Sequence, residues 1–418
     1  MMIRRFAVAL LALVTLGGHL QAAEPVIERV TTAVPYPRGL AIADGDLYIL
    51  ARGRVRGAGG VTAAIDDRAG TLYRVRLDVS EPLGDDYAAV GEAVRTNGEV
   101  VAEPTSPPFR LWDRSAAPPE SDRHTDRPYC TLRYHAATQS FYLCAFSGID
   151  MQRTKDDPIA FSKNLTDALL RYDLRTQSWH EVERHKIGAG GNYPHHDPRY
   201  NAPPHGWLNG PDNCLIIGNT LYAVAKDNNL LVAYDLSALA SDPAAGPPPS
   251  RVVLGSRIRM RDGSEQELYG HSALATHGDW LYIGYRSSSV ILRIKLDAKH
   301  QPVQPIVGEL VATFDPYDPA SGKSANLTDM CVDDKGRVYV VSAKPSRVYR
   351  FSPDPKHVFD GRTGQQPAWA DMAAATANPK MKSENVLFHN GWLYITSGDG
   401  YSYQAGADGT VYRVRVTD

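Results

Sequence analysis

Acidic and amide side chains stand at one position of an apolar pattern that repeats six times along the chain. Three of the six repeats begin with Asp212-Asn213, Thr328-Asp329 and Glu384-Asn385. Carboxylate and amide oxygens are the hard ligands that Ca²⁺ prefers, and water or a substrate can complete its shell. The sequence predicts a Ca²⁺ site held by Asn213, Asp329, Glu384 and Asn385. The alternative is that these residues cap strand ends and hydrogen-bond one another around a water-filled channel.

Basic residues stand near the same repeats. We predict that they form a cationic collar around the acidic centre, made of Arg52, Lys226, Arg286 and Lys344 at the ends of the second strands, together with Arg38. Such a collar suits a substrate with a carboxylate or phosphate group, whose carbonyl or phosphoryl oxygen the metal would polarise. The alternative is ordinary surface pairing, for example of Lys226 with Asp227.

Histidines are the candidates for proton transfer, because an unperturbed imidazole titrates near neutral pH. His195 and His196 lie in a segment that also contains His185 and His205, and His271 directly precedes the fourth repeat. We predict that His271, His195 or His196 acts as a general base. The alternative is a transition-metal site, although the spacing of these histidines matches no known ligand motif.

The elements that must position these residues are short apolar strands. Each repeat has an apolar strand, a tight turn, a strand of aromatic and aliphatic residues, and a third strand in which apolar residues alternate with Arg, Tyr or Lys, as in Leu215–Ile217, Leu221–Val224 and Leu230–Tyr234. A unit that recurs at roughly 50 to 60 residues indicates a repeat fold, in which each unit buries its apolar face against the next. The sequence predicts an all-β fold, a six-bladed β-propeller.

The two ends of the chain are predicted to meet in the last blade. The sixth repeat has only three strands before Asp418, and the segment 26–32 is a strand without a repeat of its own. Pairing the two would remove two exposed strand edges. The long insertions 51–70, 98–129, 147–167 and 186–212 are all predicted on the face where the inner strands begin, and such a loop-rich face is where binding sites are usually built.

The first 23 residues are typical of a secretory signal peptide. Arg4 and Arg5 precede an apolar run over 6–16, and small residues follow at Ala22 and Ala23. We therefore expect residues 24–418 to be a single propeller domain that is exported, periplasmic or secreted, and monomeric. No later apolar stretch approaches ~18 residues, so no membrane span is expected. The formal net charge of −2 and the lack of a basic stripe argue against a nucleic-acid partner.

Four cysteines, Cys130, Cys144, Cys214 and Cys331, match no zinc or haem motif. Export would allow a disulfide between Cys130 and Cys144, which flank one hairpin. Cys214 and Cys331 open inner strands and are expected as buried thiols. The first pairing is left open by the sequence.

The fifth repeat, Thr328–Gly336 followed by Val338-Tyr339-Val340, resembles the inner hairpin of the gluconolactonase/SMP-30 family and its paraoxonase relatives. The resemblance implies a propeller with a catalytic divalent cation, with Asp329 as a ligand and Asn213 as the matching amide ligand. Arg38-Gly39 stands where the family carries Glu-Gly. Glu384 or Asn385 of the sixth repeat would have to replace that ligand.

Residues and resemblance together predict an exported Ca²⁺-dependent hydrolase of a small cyclic ester (lactone) or a related anionic molecule. One alternative is a non-catalytic propeller that binds a ligand or a protein partner through its loop-rich face, because fold alone does not define function. Another is a lyase that uses a histidine and a cation.

Overall fold

The structure is a computed structural model. It describes residues 25–31, 34, 37–51, 72–77, 98–102, 130–145, 166–186, 207–208, 210–226, 228–314, 326–362, 368–378, 381–398 and 410–417. The predicted signal peptide and most of the four long insertions lie outside these residues.

The first strand in chain order is β1 (Ile27–Thr31). Blade 1 contains β2 (Pro37–Ala43), β3 (Asp46–Ala51), β4 (Leu72–Val75) and β5 (Gly98–Ala102). Blade 2 contains β6 (Thr131–His135), β7 (Ser140–Ala145), β8 (Thr166–Asp173) and β9 (Ser178–Lys186). Blade 3 contains β10 (Pro211–Ile217), β11 (Thr220–Ala225), β12 (Leu230–Asp235) and β13 (Ser250–Leu254), with a short helix α1 (Ser237–Ser241) between its last two strands.

A two-stranded hairpin of β14 (Arg257–Arg259) and β15 (Glu265–Glu267) follows. Blade 4 contains β16 (His271–His277), β17 (Trp280–Tyr285), β18 (Val290–Lys295) and β19 (Gly308–Phe314). Blade 5 contains β20 (Leu327–Val332), β21 (Val338–Ala343) and β22 (Ser346–Phe351). The chain then forms β23 (Phe359–Gly361), which pairs in parallel with β19, and returns to blade 5 as β24 (Ala370–Asp371), followed by helix α2 (Met372–Ala375). Blade 6 contains β25 (Lys382–His389), β26 (Trp392–Gly398) and β27 (Val411–Arg415).

The N-terminal strand closes the ring. The strand order in the last sheet is β1-β27-β26-β25, and β1 is antiparallel to β27, with Ile27 opposite Val414 and Glu28 opposite Arg413. Arg413 Nε also donates a hydrogen bond to Glu28 Oε2 at 2.7 Å. The predicted six-bladed propeller, closed by its N-terminal strand, is therefore confirmed.

The core lies between the blades, as stacked repeats require. One cluster joins Leu50 and Leu72 of blade 1 to Leu132 and Phe141 of blade 2. Each second strand contributes a buried tyrosine near its middle, and these are Tyr48, Tyr142, Tyr222, Tyr282, Tyr339 and Tyr394. A single blade has no apolar interior of its own, so its side chains are buried only when the blades stack on one another.

The tight turn predicted for each repeat is formed in the first hairpin of blade 6 by Asn390-Gly391. Both residues have positive φ, 49° and 77°, which is the geometry of a tight two-residue hairpin turn. The inner strands begin on the opposite face of the ring.

The hairpin β14–β15 and the fifth strand of blade 4 were not predicted. Of the three residues of β14, only Ile258 is buried, while Arg257 and Arg259 face Glu267 and Glu265 across the hairpin. β23 joins blade 4 because Phe359 packs on Phe314 and Phe351. Neither segment has an apolar run long enough to indicate a strand from sequence alone.

All four cysteines are free, so the structure lacks the bridge that the sequence allows between Cys130 and Cys144. Cys130 N donates to Cys144 O at 2.9 Å. Both side chains pack with Cys214 in the apolar layer between blades 2 and 3. These three therefore act as small apolar residues. In the described part of the chain, no helix has the length and apolar character needed to cross a membrane.

Candidate functional site

The inner strands of the six blades meet the second strands in a common register. The residue opposite each second-strand tyrosine is Ala41, Arg133, Leu215, Ala275, Cys331 or Leu387. Two residues earlier in each strand stand Gly39, Thr131, Asn213, Ala273, Asp329 and Asn385. Three predicted ligands thus occupy the same level on blades 3, 5 and 6.

The register slips just before this level in five blades. The shifts fall between Pro37/Gly39, Pro211/Asn213, His271/Ala273, Leu327/Asp329 and Ser383/Val386. A bulge places an extra residue in one strand and redirects its side chain, and bulges are common beside active sites. This irregularity lets two successive residues, such as Glu384 and Asn385, both reach the polar centre.

One group of side chains in this centre joins blades 1, 3 and 6. Arg38 forms an ion pair with Glu384, and its Nη2 lies 3.9 Å from Asp212 Oδ1. All three side chains are buried. The sequence predicts Arg38 as part of a substrate-binding collar and Glu384 as a metal ligand, and the structure brings the two together as partners.

A second group surrounds the carboxylate of Asp329, which is wholly buried. Asp329 Oδ1 accepts from Asn213 Nδ2 at 2.7 Å. Asp329 Oδ2 accepts from Asn385 Nδ2 and from the backbone N of Val386, both at 3.2 Å. Blades 3 and 5 are not neighbours in the ring, so a direct contact between Asn213 and Asp329 places this group at the axis.

Arg133 completes the second group, and sequence reasoning missed it. Its Nη2 lies 3.2 Å from Asn213 Oδ1 and 3.3 and 3.4 Å from the two oxygens of Asp329. Its Nη1 donates to Leu132 O at 2.9 Å. Arg133 is the one charged residue at its level of the six inner strands, where the other blades carry Ala, Leu or Cys. That contrast is the signal that would have identified it.

Ca²⁺ binds about six to eight oxygen ligands in proteins. Among the described residues, no group of three His, Cys, Asp or Glu side chains is arranged to hold a metal ion, so amide oxygens would have to contribute. Asn213 and Asn385 flank Asp329, and Asn385 Oδ1 is buried without a hydrogen-bond partner in the described part of the chain. These oxygens fit a hard cation. In the structure as it stands, however, both amides turn their NH₂ groups to Asp329, and a guanidinium supplies the positive charge.

His271 is a buried neutral imidazole at the start of β16. Its ring packs on Tyr285 with 4.5 Å between centroids, and neither ring nitrogen has a hydrogen-bond partner in the described residues. Burial disfavours the charged form and lowers the pKa of His271 to about 3. The next residue, Ser272, accepts a hydrogen bond from Asn213 Nδ2 through its carbonyl oxygen at 3.2 Å.

Three collar residues end second strands on the face where the inner strands start. Lys226 N donates to Gly210 O at 2.9 Å and Arg286 N donates to Gly270 O at 2.7 Å, which ties both to the entry of an inner strand. Their side chains are half-buried, and that of Lys344 is exposed. His195, His196, Arg52 and the side chain of His185 lie outside the described residues, so their predicted roles stay predictions.

The fold and site define a six-bladed β-propeller with a charge-paired polar centre. No family model matches the chain, and no curated protein matches it. Similar solved structures include a Xanthomonas campestris gluconolactonase (13% identity, TM-score 0.43, covering 94% of this chain and 89% of that one). They also include a calcium-binding regucalcin from Agrobacterium tumefaciens (10%, 0.44, 94% and 96%) and a PQQ-bound aldose sugar dehydrogenase from Streptomyces coelicolor (12%, 0.48, 94% and 98%).

The neighbours thus include gluconolactonase and regucalcin, the group that the hairpin at Asp329 resembles. Their names also cover different functions, and similarity at this level assigns none of them to this chain.

Proposed function

We propose that this protein is an exported, Ca²⁺-dependent hydrolase of a small cyclic ester (lactone) or a related anionic molecule, with its active site at the polar centre of the propeller. The observation that carries the proposal is the convergence of Asn213, Asp329 and Asn385 from three blades on one buried point. Burying a carboxylate and two amides at one axis costs free energy that their mutual hydrogen bonds offset. Sites of this kind are candidates for function.

Asn213, Asp329 and Asn385 would hold the ion, with Glu384 as a further ligand once it separates from Arg38. Ca²⁺ in this position would polarise the carbonyl oxygen of the ester and favour attack by water. Asn385 Oδ1 supports this assignment, because a buried amide oxygen without a donor is unfavourable unless something binds it. Asn213 and Asn385 already contact Asp329, so these three residues can approach one ion without any movement of the strands.

The basic side chains would orient the substrate. Lys226 and Arg286 are half-buried at the strand ends next to the entries of β10 and β16, and exposed Lys344 occupies the corresponding end of β21. A carboxylate or phosphate on the substrate would pair with them through charge-assisted hydrogen bonds. This arrangement favours an anionic substrate over a neutral one.

His271 would act as the proton acceptor. A neutral imidazole has one nitrogen with a free lone pair, and neither ring nitrogen of His271 has a hydrogen-bond partner in the described residues. Because burial lowers its pKa to about 3, His271 would be a weak base that holds the proton only briefly. The next residue, Ser272, accepts a hydrogen bond from Asn213 through its carbonyl oxygen, which supports a role for His271 near the proposed ligands. His195 and His196 are the alternative bases in this proposal.

The two arginine pairs favour a second candidate function. Arg38 with Glu384 and Arg133 with Asp329 already balance two of the buried carboxylates. A centre that is balanced in this way needs no metal for stability. The second candidate is therefore a non-catalytic propeller that binds an anionic ligand or a protein partner through the same face.

A metal analysis combined with an activity panel separates the two candidates. The purified protein would be stripped with a chelator, and its bound metals measured before and after dialysis against Ca²⁺. Hydrolysis of lactones and of linear esters, each with and without an anionic group, would then be followed with Ca²⁺ and with excess chelator. We expect chelator-sensitive hydrolysis that favours the anionic lactones. No bound divalent ion at millimolar Ca²⁺ and no hydrolysis would leave the binding propeller as the better account.

A further inference from the structure

Arg133 makes the contacts that a metal ion at the axis would make. Its Nη2 lies within 3.4 Å of three oxygens, Asn213 Oδ1 and both carboxylate oxygens of Asp329. We infer that Arg133 is a built-in cation that occupies the calcium position, so that calcium binds by displacing its guanidinium. This inference rests on the proposed calcium site and adds the residue that sets the affinity of that site.

The guanidinium and a calcium ion exclude each other on electrostatic grounds. A cation that contacts Asn213 Oδ1 and Asp329 would lie where Arg133 Nη2 now is. Two positive charges a few ångströms apart in a buried, low-dielectric site repel strongly. One carboxylate, Asp329, is the anion that both would share, so it cannot compensate both. Arg133 must therefore leave when calcium enters.

The side chain of Arg133 is placed to leave. Its bonds at the axis are long for a charge-assisted pair, and its remaining bond goes to the carbonyl of the adjacent residue, Leu132. The Arg133 side chain is 13% exposed whereas that of Asp329 is 0% exposed. Withdrawal toward solvent therefore moves a partly hydrated group and leaves the buried carboxylate in place.

Thermodynamic linkage predicts how Arg133 changes the affinity for calcium. The apparent affinity for calcium is reduced by the fraction of molecules in which Arg133 has withdrawn. Removing the guanidinium removes that cost, so Arg133→Met should bind calcium at least tenfold more tightly than wild type. Arg133→Lys keeps one charge but loses the planar fork, so its affinity should fall between the two.

Arg337 provides a matched control. It pairs with the buried Asp333 at 2.6 Å, and the exposed fractions of the two side chains, 14% and 0%, are nearly those of Arg133 and Asp329. Arg337→Met therefore removes the same kind of ion pair from the turn that joins β20 to β21, at the other end of those strands. It should lower stability without changing the affinity for calcium.

The test is isothermal titration of CaCl₂ into the chelator-stripped, full-length mature chain, for wild type, Arg133→Met and Arg337→Met, with circular dichroism as the check on folding. Melting curves with and without calcium are the second readout. Calcium-free Arg133→Met should melt below wild type, because Asp329 loses its counter-charge, and calcium should raise its melting temperature by more than it raises that of wild type. If Arg133→Met does not fold, Arg133→Lys replaces it.

The outcomes separate this inference from the proposed function. Tighter calcium binding by Arg133→Met, with Arg337→Met unchanged, supports the displacement. Equal or weaker binding by a folded Arg133 variant, with wild type still binding, overturns the displacement and leaves the calcium site standing. No binding by any variant overturns both.

Discussion

Asn213 Nδ2 of blade 3 lies 2.7 Å from Asp329 Oδ1 of blade 5. These blades are separated by blade 4, and the same amide also donates to the carbonyl oxygen of Ser272 in that blade. One side chain therefore links three blades at the axis of the ring. Because its partner Asp329 also contacts blades 2 and 6 through Arg133 and Asn385, the polar centre is part of what holds the ring together as well as a candidate site.

This double role predicts strong coupling between Arg133 and Asp329. Breaking a buried ion pair by removal of one partner leaves an uncompensated charge and costs about 3 kcal/mol or more. We expect Arg133→Met and Asp329→Asn each to lower the free energy of unfolding, and the double variant to lose less than the sum, since it leaves neither charge alone. Chemical denaturation of the four proteins measures the coupling. Additive losses would show that the pair does not act as a unit.

The closing strand β1 predicts the effect of truncation. Deleting 24–32 exposes the edge of β27 and removes the pairs from Ile27 to Thr31, so the melting temperature should fall clearly. Deleting only 1–23, the predicted signal peptide, should leave it unchanged. Glu28→Gln is the finer control. The ion pair of Glu28 with Arg413 is partly exposed, so its loss should lower the free energy of unfolding by at most about 1 kcal/mol. An unchanged melting temperature after the longer deletion would contradict a stabilising role for the closure.

The buried imidazole of His271 predicts a loss of stability in acid. Its pKa is about 3 in the folded protein and near 6.5 when unfolded, so the unfolded state binds the extra proton as the pH falls below 6.5. Its contribution is complete above that pH and decreases by up to about 1.4 kcal/mol per pH unit below it.

His271→Phe keeps the ring contact with Tyr285 and removes the titrating group, so its unfolding free energy should vary less between pH 6.5 and 4.5. The variant of an exposed histidine, His357→Gln, is the control and should follow wild type. If wild type and His271→Phe show the same dependence on pH, His271 is not held neutral by burial.

Two buried polar atoms without partners predict opposite outcomes. Asn385 Oδ1 and Ser397 Oγ both lack a hydrogen-bond partner in the described residues, but only Asn385 also contacts Asp329. Asn385→Ala should weaken calcium binding by tenfold or more. Ser397→Ala should leave binding unchanged and stability equal or slightly higher, since the variant no longer buries an unsatisfied hydroxyl. Calcium titrations and melting curves decide this, and equal binding by both variants would remove Asn385 from the ligand set.

Much of the fold follows from the sequence because it depends on local patterns. Three such patterns depend only on contacts within one blade or between neighbouring blades. They are the alternation in the third strands, the Asn390-Gly391 turn and the unpaired strand at 26–32. The same alignment also placed Asn213, Asp329 and Asn385 at one level, which the strand register confirms. Their predicted role as metal ligands remains to be tested.

The contacts across the axis did not follow from the sequence. Arg133 reaches from blade 2 to Asp329 in blade 5, and Arg38 of blade 1 pairs with Glu384 of blade 6. Strand patterns in the sequence specify the path of the backbone. The position of an arginine guanidinium, at the end of a long and flexible side chain, depends instead on which buried anion lies within its reach. The hairpin β14–β15 was not predicted for a different reason, which is that two of the three residues of β14 are arginines.

Calcium titration of wild type beside Asp329→Asn tests the central claim most directly. Both proteins are stripped with chelator and then titrated with CaCl₂ while heat and melting temperature are recorded. The account predicts binding at about one ion per chain in wild type, with a stabilisation of about 2.7 kcal/mol at a hundredfold excess over the dissociation constant, and neither effect in Asp329→Asn. An exposed carboxylate variant, Asp297→Asn, should behave as wild type. No binding to wild type at millimolar calcium, or equal binding to Asp329→Asn, would contradict a calcium site at the axis.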